Sequence, residues 1–465
     1  MKLVKMSMVA ALLVGSSAFA IENTKVSGDA KLFYSTSDAK NGTANILAGE
    51  TGSGSLFAKD SSAADAAFNL NVTTDLVSND LVKISAGAGY TVLTTLGLEN
   101  NLVSNVWGGS HSATQNTNQS YGGSSHSNAL GGAKVENANW FKEAWIAATA
   151  GKTTAKLGRM ELDTPLAYSE KWSAEVNTFE GIVAINQDIP DTTVVGAYLG
   201  NGNGNEEFGT DALSGDVTAL GLAAGPIVNA EGKFGTFGSD GAYALGVVNN
   251  SFKPLTVQAW YYELPRLLNA YWLQADLNME GILAGVQYSA HDVETDGSKV
   301  GFLGANPGDS VKTDSSVVAA MLGYEMKDVV TVKVAYSQVD DKFAAGFNVA
   351  TSTGNSKLYT QTFWNYSLGY GATAADTDTM KFSVSSPVNG LFDVCASYTS
   401  VDQGTSGMGT NNDLDEIALV VKKSFGPLDA KLAYINVDQK NKDTYAVKGF
   451  DDKYNMVQAY LTLNF

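Results

Sequence analysis

Eight short turns, each set between two alternating segments, constrain this chain more than any other feature. Phe68, Leu70 and Val72 alternate with Asn69, Asn71 and Thr73. After Ser78-Asn79-Asp80, the series Val82, Ile84, Ala86, Ala88, Tyr90 alternates with Lys83, Ser85, Gly87, Gly89. A period of two with one apolar and one polar face is the signature of an antiparallel hairpin. The same device recurs across Ala150-Gly151, Asp188-Ile189-Pro190, Asn249-Asn250-Ser251-Phe252 and Met279-Glu280. It recurs again across Met326-Lys327-Asp328, Pro387-Val388-Asn389-Gly390 and Phe425-Gly426-Pro427. Eight turns pair sixteen strands; a first strand near Thr24 to Ser35 and a last near Tyr454 to Phe465 bring the number to eighteen.

Between the hairpins lie long polar stretches rich in Gly, Asn, Ser and Thr: Thr36 to Asp60, Leu96 to Asn139, Asn201 to Asp240, Thr295 to Lys312 and Lys342 to Thr377. Short turns at one end and long loops at the other predict an all-β fold. It is a transmembrane antiparallel β-barrel of about 18 strands, with short periplasmic turns and long extracellular loops. A β-sandwich would have short loops at both ends, and a chain of this length would divide into domains. No linker or shift of composition interrupts residues 21–465, so a single domain is expected there.

Both ends of the chain fit this reading. In the last strand Val457, Ala459, Leu461, Leu463 and Phe465 share one face, and Met456, Gln458, Tyr460, Thr462 and Asn464 the other. Outer-membrane barrels close on such a strand, and the terminal aromatic, Phe465, looks like the signal read by the barrel-assembly machinery. At the other end Lys2 and Lys5 precede an apolar stretch from Met6 to Val14 and then Ser16-Ser17-Ala18-Phe19-Ala20. That order predicts a secretory signal peptide over residues 1–20, cleaved after Ala20. The expected location is the outer membrane, among its lipid and lipopolysaccharide.

Composition removes other classes. No second apolar run is long enough for a spanning helix. Without Lys2 and Lys5, 28 basic groups face 48 acidic ones, a net charge of −20, which argues against a nucleic-acid partner. The same acidity fits a pore that prefers cations. The single cysteine, Cys395, cannot form an internal disulfide. It shares a face with Asp393, Ser397 and Thr399, so its thiol is expected in the lumen. His111, His126 and His291 are too scattered for a metal centre or a catalytic triad.

Strand faces indicate what meets lipid. Leu255, Val257, Ala259 and Tyr261, then Tyr271, Leu273, Ala275 and Leu277, then Ile282, Ala284, Val286 and Tyr288 carry no charge. The opposite faces hold Gln258, Gln274, Asp276, Gln287 and His291 and are expected to line a water-filled lumen. Trp260, Tyr262 and Trp272 also point that way and would narrow it.

Charge concentrates between Gly158 and Gln187, where Glu161, Asp163, Glu170, Glu175 and Glu180 flank a loop centred on Thr164 to Asn177. Opposite stand lysines predicted on lumen faces: Lys83, Lys156, Lys333, Lys422 and Lys431. A third loop folded into the channel near 163–177 would set its acids against these lysines and create a transverse field at the narrowest point.

Two runs in this part of the chain, F-K-E-A-W-I-A-A-T-A-G-K-T-T-A-K-L-G-R-M-E-L-D-T-P-L-A-Y and N-Q-D-I-P-D-T-T-V-V-G-A-Y-L-G-N-G-N-G, resemble the Campylobacter-type major outer membrane protein porins; so does the M-K-L-V-K start. The resemblance implies an 18-stranded homotrimeric channel for passive diffusion of ions and small hydrophilic solutes. Such channels are often cation-preferring and have an inward loop narrowing each pore. It further implies Arg159 at the constriction wall, with Glu161 and Asp163 at the base of the inward loop. Strand parity instead groups Arg159 with Ala155 and Leu157, so a bulge near Gly158 would be needed to aim it inward.

No cofactor is required by this reading. Some members of the resembled family hold calcium through acidic side chains near the constriction. The nearest imitation of a calcium loop here is Asp292, Glu294 and Asp296 before Gly297, but position twelve is Leu303 rather than Glu. Two alternatives remain: a substrate-specific outer-membrane channel, with Trp260, Tyr262 and Trp272 stacking on sugars, and a secreted β-rich adhesin. A barrel enzyme would need a nucleophile and an orienting group beside His291, and none is evident.

Overall fold

The computed structural model describes residues 22–39, 55–98, 101–103, 138–171, 174–203, 234–236, 241–265, 268–293, 314–351, 354–364, 371–388, 390–404, 412–441 and 452–465. The predicted signal peptide, His111, His126, Glu294 and Asp296 lie outside them.

The strands are β1 (Glu22–Ser37), β2 (Ser62–Ser78), β3 (Lys83–Thr94), β4 (Ala138–Ala150), β5 (Thr153–Met160) and β6 (Phe179–Asn186). They continue with β7 (Thr192–Gly202), the two-residue β8 (Gly235–Thr236), β9 (Ala242–Asn249), β10 (Leu255–Leu264), β11 (Leu268–Met279) and β12 (Ile282–Val293). The last seven are β13 (Ser315–Met326), β14 (Val330–Val339), β15 (Thr377–Val388), β16 (Phe392–Gln403), β17 (Asn412–Phe425), β18 (Leu428–Asn441) and β19 (Asp452–Asn464). Each pairs antiparallel with its chain neighbour, except that β7 passes to β9 while β8 caps the loop end of β7. β1 pairs with both β2 and β19, which closes the ring at eighteen staves.

Closure rests on the chain end foreseen from the sequence. Asp29 to Ser37 run against Asn464 to Met456, and the Gly28 and Phe465 backbones exchange hydrogen bonds of 2.8 and 2.9 Å. A Cβ at residue 28 would stand 2.5 Å from the Phe465 ring, so only glycine lets the terminal aromatic close over this strand.

All eight predicted turns are present, at 79–82, 151–152, 187–191, 250–254, 280–281, 327–329, 389–391 and 426–427. At 280–281 both residues take positive φ, 52° and 87°, the two-residue turn that matches strand twist and favours Gly281. The opposite end carries the long connections. The third, L3, spans 161–178 and the seventh, L7, spans 340–376; the fifth, at 265–267, is the short exception.

The side-chain faces follow the predicted parity. Val286 and Leu322 are more than half exposed on the outside, while Trp272 and Tyr262 are buried within. The interior differs from a simple polar-lined lumen. L3 and L7 pack inside the ring and build two hydrophobic cores there. The larger joins Leu162, Leu166 and Ala167 of L3 and Phe343 to Ala350 of L7 to Trp260, Tyr262 and Trp272 on the wall. The smaller joins Ala174 and Trp364 to Phe33, Leu93, Trp140 and Met456.

Candidate constriction

L3 leaves β5 at the buried Met160 and doubles back as a small closed hairpin. Thr164 and Ala167 close its tip, their backbones bonding at 3.1 Å while the Thr164 hydroxyl donates to the Ala167 carbonyl at 2.6 Å. Pro165 at the second position of this turn fits, because the ring presets φ and no N–H is needed there. The Ser169 N–H donates to the Leu162 carbonyl at 2.9 Å, and the tip residue Leu166 is driven into the larger core, its N–H 3.3 Å from the Tyr262 hydroxyl.

L7 contains a second small hairpin, bridged at Phe347 and Ser356, and the two lock together. The Val349 N–H donates to the Leu166 carbonyl at 2.8 Å. Asn348 donates from Nδ2 to the Tyr168 carbonyl and to Glu170 Oε1, both at 2.9 Å, and the Thr351 hydroxyl donates to the same carboxylate oxygen. Lys357 of L7 ion-pairs with Asp163 of L3 and stands 4.9 Å over the Tyr168 ring. Burial first, then the carboxylates of Glu170 and Asp163, push the Tyr168 hydroxyl well above its ordinary pKa, so it stays neutral.

The wall grips both loops. Gln287 donates to the Lys357 carbonyl and accepts from the Tyr359 N–H, each at 3.0 Å, and the Tyr359 hydroxyl donates to Asp276 at 2.5 Å. His291 Nε2 accepts the Gly346 N–H at 3.1 Å, and its ring stacks on Phe347 at 4.6 Å. Lys381 donates to the Gln361 carbonyl, and the Glu416 carboxylate accepts the N–H groups of Phe363 and Trp364. On the other side the buried Glu175 of L3 accepts from Asn69 and lies 3.3 Å from Lys31 and 3.6 Å from Lys142. L3 and L7 thus form one cross-braced diaphragm inside the ring.

The residues singled out from the sequence scatter over this frame. Glu161 opens L3 and pairs with Lys171 at 2.8 Å; Asp163 is open to water beside Lys357. Lys156 points inward with its Nζ 4.1 Å over the Trp145 ring. Glu170 is buried at the junction of the loops and does not face the channel. Lys83 pairs with Asp75 at 3.0 Å beside the 79–82 turn, and Lys333 stands on the wall against Gly323; neither meets L3 in a described contact. Lys422 and Lys431 face one another in register, with Lys431 Nζ 3.4 Å over the Tyr460 ring. Cys395 lies between Ser385 and the buried Val420, on the inner face.

Arg159 requires correction. The register runs through β5 without a bulge, so Arg159 stays on the outer face with Leu157, bound to Glu180 at 2.9 Å through Nε. The proposed stacking of sugars on Trp260, Tyr262 and Trp272 also fails, because L3 and L7 cover these rings. Asp292 is described on β12 but its two loop partners are not, and among the described residues no group of three acidic, His or Cys side chains is placed to hold a metal.

Sequence reading placed L7 as a long polar loop at Lys342 to Thr377 but missed that it packs inside the ring, and with that the roles of Asn348, Lys357, Tyr359 and their wall partners Lys381 and Glu416. One signal was available: the run F-A-A-G-F-N-V-A from Phe343 to Ala350 is too apolar for a loop standing in water.

No family model matches the sequence, and no curated protein does either. Solved structures do share the fold. OccK8 (OprE) of Pseudomonas aeruginosa aligns over 96% of this chain and 100% of its own, at 14% identity and a TM-score of 0.65. OccAB4 of Acinetobacter baumannii aligns over 96% and 99%, at 12% identity and a TM-score of 0.61. The Pseudomonas aeruginosa outer membrane protein OpdK, in its structure with vanillate, aligns over 96% and 100%, at 10% identity and a TM-score of 0.65. At such identities the likeness concerns the barrel itself.

Proposed function

We propose that this chain is an outer-membrane porin of the Campylobacter type, exported by a cleaved signal peptide and assembled as a homotrimer. In this reading each barrel forms a water-filled channel for passive diffusion of ions and small hydrophilic solutes. The observation that carries the reading is the closed eighteen-stave ring, apolar outside, with two loops braced across its interior. A structure of this kind restricts a passage, and among the described residues His291 is committed to holding Gly346. Phe465 serves assembly, and a Phe465→Asp variant should accumulate unassembled in the periplasm.

Cation preference rests on the acidic chain and on Glu161 and Asp163, the L3 acids that still reach water. Each lies beside a lysine, so the preference should be mild. Single-channel recording in planar bilayers tests the whole reading: ohmic conductance with a cation-selective reversal potential supports it, and recovery of the protein in a detergent-free soluble extract would end it. A substrate-selective channel is the second reading. It draws on Lys357, whose partly exposed ammonium lies over the Tyr168 ring beside Asp163, a cation suited to an anionic solute such as the vanillate in the OpdK structure.

A further inference from the structure

Near the loop end of the barrel a charged cluster interrupts the apolar outer face. Ala144, Arg159 and Glu180 lie side by side on β4, β5 and β6, and the row nearer the turns holds Ile146, Leu157 and Ile182, all turned outward. The small residues Ala144, Gly158, Gly181 and Gly200 among Phe141, Leu157, Ile182 and Tyr198 leave a shallow groove of about 530 Å³. A second outer groove, of about 500 Å³ between β9 and β13, is lined by no charged residue. The first therefore has a polarity that the second lacks: apolar towards the membrane centre, ionic at the loop end.

The cation in this groove is not used up by its partner. A guanidinium offers five N–H donors. Nε and Nη2 of Arg159 donate to Glu180 Oε1 at 2.9 and 2.5 Å, and Nη1 donates to the Phe141 carbonyl. Among the described residues this leaves one N–H on each terminal nitrogen. Glu180 is engaged on both oxygens, its Oε2 accepting from Asn201 Nδ2 at 2.7 Å. Phe234 covers one face of the guanidinium at 3.7 Å and is held there by β8, which pairs with Asn201 and Gly202. The result is a fork with two free donors at the loop-side end of β5, beside Phe141 and Tyr198.

We propose that this groove binds a phosphorylated glycolipid of the outer leaflet, with an acyl chain along Leu157, Ile182 and Tyr198 and a phosphate on Arg159. Phosphate oxygens match the spacing of the two donors, and a cation facing lipid is favourable where an anionic headgroup neutralises it. The site rests on membrane residence of the barrel but not on what passes through it.

Native mass spectrometry of the full protein in detergent, titrated with bis-phosphorylated lipid A, tests the site. Fully dephosphorylated lipid A and inorganic phosphate serve as separate arms. The phosphorylated lipid should bind at least tenfold tighter than the dephosphorylated form, and inorganic phosphate should not compete at millimolar concentration. Arg159→Gln should lose that tenfold, whereas Glu180→Gln, which removes the competing carboxylate, should bind as tightly or tighter. Ala144→Leu fills the groove floor without touching charge and should weaken binding severalfold. Heat-modifiable migration and unchanged conductance show that each variant is a folded channel, separating failure of the site from failure of the barrel. Equal loss in Arg159→Gln and Glu180→Gln would overturn the proposal in favour of a purely structural ion pair. Unaltered lipid binding in Arg159→Gln, with loss of the oligomer, would overturn it in favour of a second copy of the chain seated in the groove.

Discussion

L3 and L7 lie in the same lumen and touch, yet they carry opposite kinds of information. L3 announces itself by charge, but two of its acids are spent on structure: Glu170 grips L7 and Glu175 sits between Lys31 and Lys142 on the wall. L7 hides in a polar stretch and supplies the apolar mass, from Phe343 to Ala350, around which the diaphragm packs. Loop charge therefore measures how a loop is anchored as much as what it does to a passing ion. Water exposure separates the two roles.

The largest expected effect comes from breaking the junction. Glu170→Ala leaves Asn348 and Thr351 facing an empty site and should cost about 3 kcal/mol, given hydrogen bonds to a buried charged group. The diaphragm should loosen, giving larger and noisier single-channel currents together with a lower barrel melting temperature. Glu175→Ala should loosen only the wall side of L3; identical current records from the two variants would mean that L3 and L7 move as one body. Next in size, neutralising Glu161 and Asp163 together should move the reversal potential towards anions, cutting cation preference by roughly twofold, most clearly at low salt. Lys357→Met should move it the other way. If Glu170→Gln shifts selectivity as much as the Glu161 and Asp163 pair, the distinction between anchoring and facing acids is wrong.

A smaller effect is expected at Cys395, where a hydrophilic maleimide should label the thiol in intact membranes and lower conductance modestly. Labelling only by a membrane-soluble reagent would place the thiol on the lipid side. The smallest belongs to Lys83→Gln. Its pair with Asp75 stands by the turns, with the lysine half in water, and removing it should leave both the melting temperature and the selectivity close to those of the unaltered protein.

Much of the barrel could be read in advance because its signals are local. A turn such as Glu280-Gly281 and the parity of β19 depend on a few neighbouring residues, and the ring follows from repeating them. Parity also placed Arg159 outside, against the family resemblance, and the unbroken register through β5 agrees with parity. What periodicity could not reveal is the company an inward face keeps. Trp272 alternates correctly, but whether it meets water or Phe343 depends on where a loop some seventy residues later comes to rest. The same limit explains Glu170 and Glu416, whose partners are distant in sequence and leave no pattern beside them.

The manner in which the wall holds L7 has an evolutionary consequence. Ser315, His291, Gln287, Lys381 and Glu416 reach the main chain of Phe343, Gly346, Lys357, Tyr359, Gln361, Phe363 and Trp364. Peptide groups are common to all residues, and proline alone lacks the N–H. Side chains along the passage are therefore free to change while the attachment persists, so that the filter of such a barrel can be exchanged by drift without rebuilding the staves that support it.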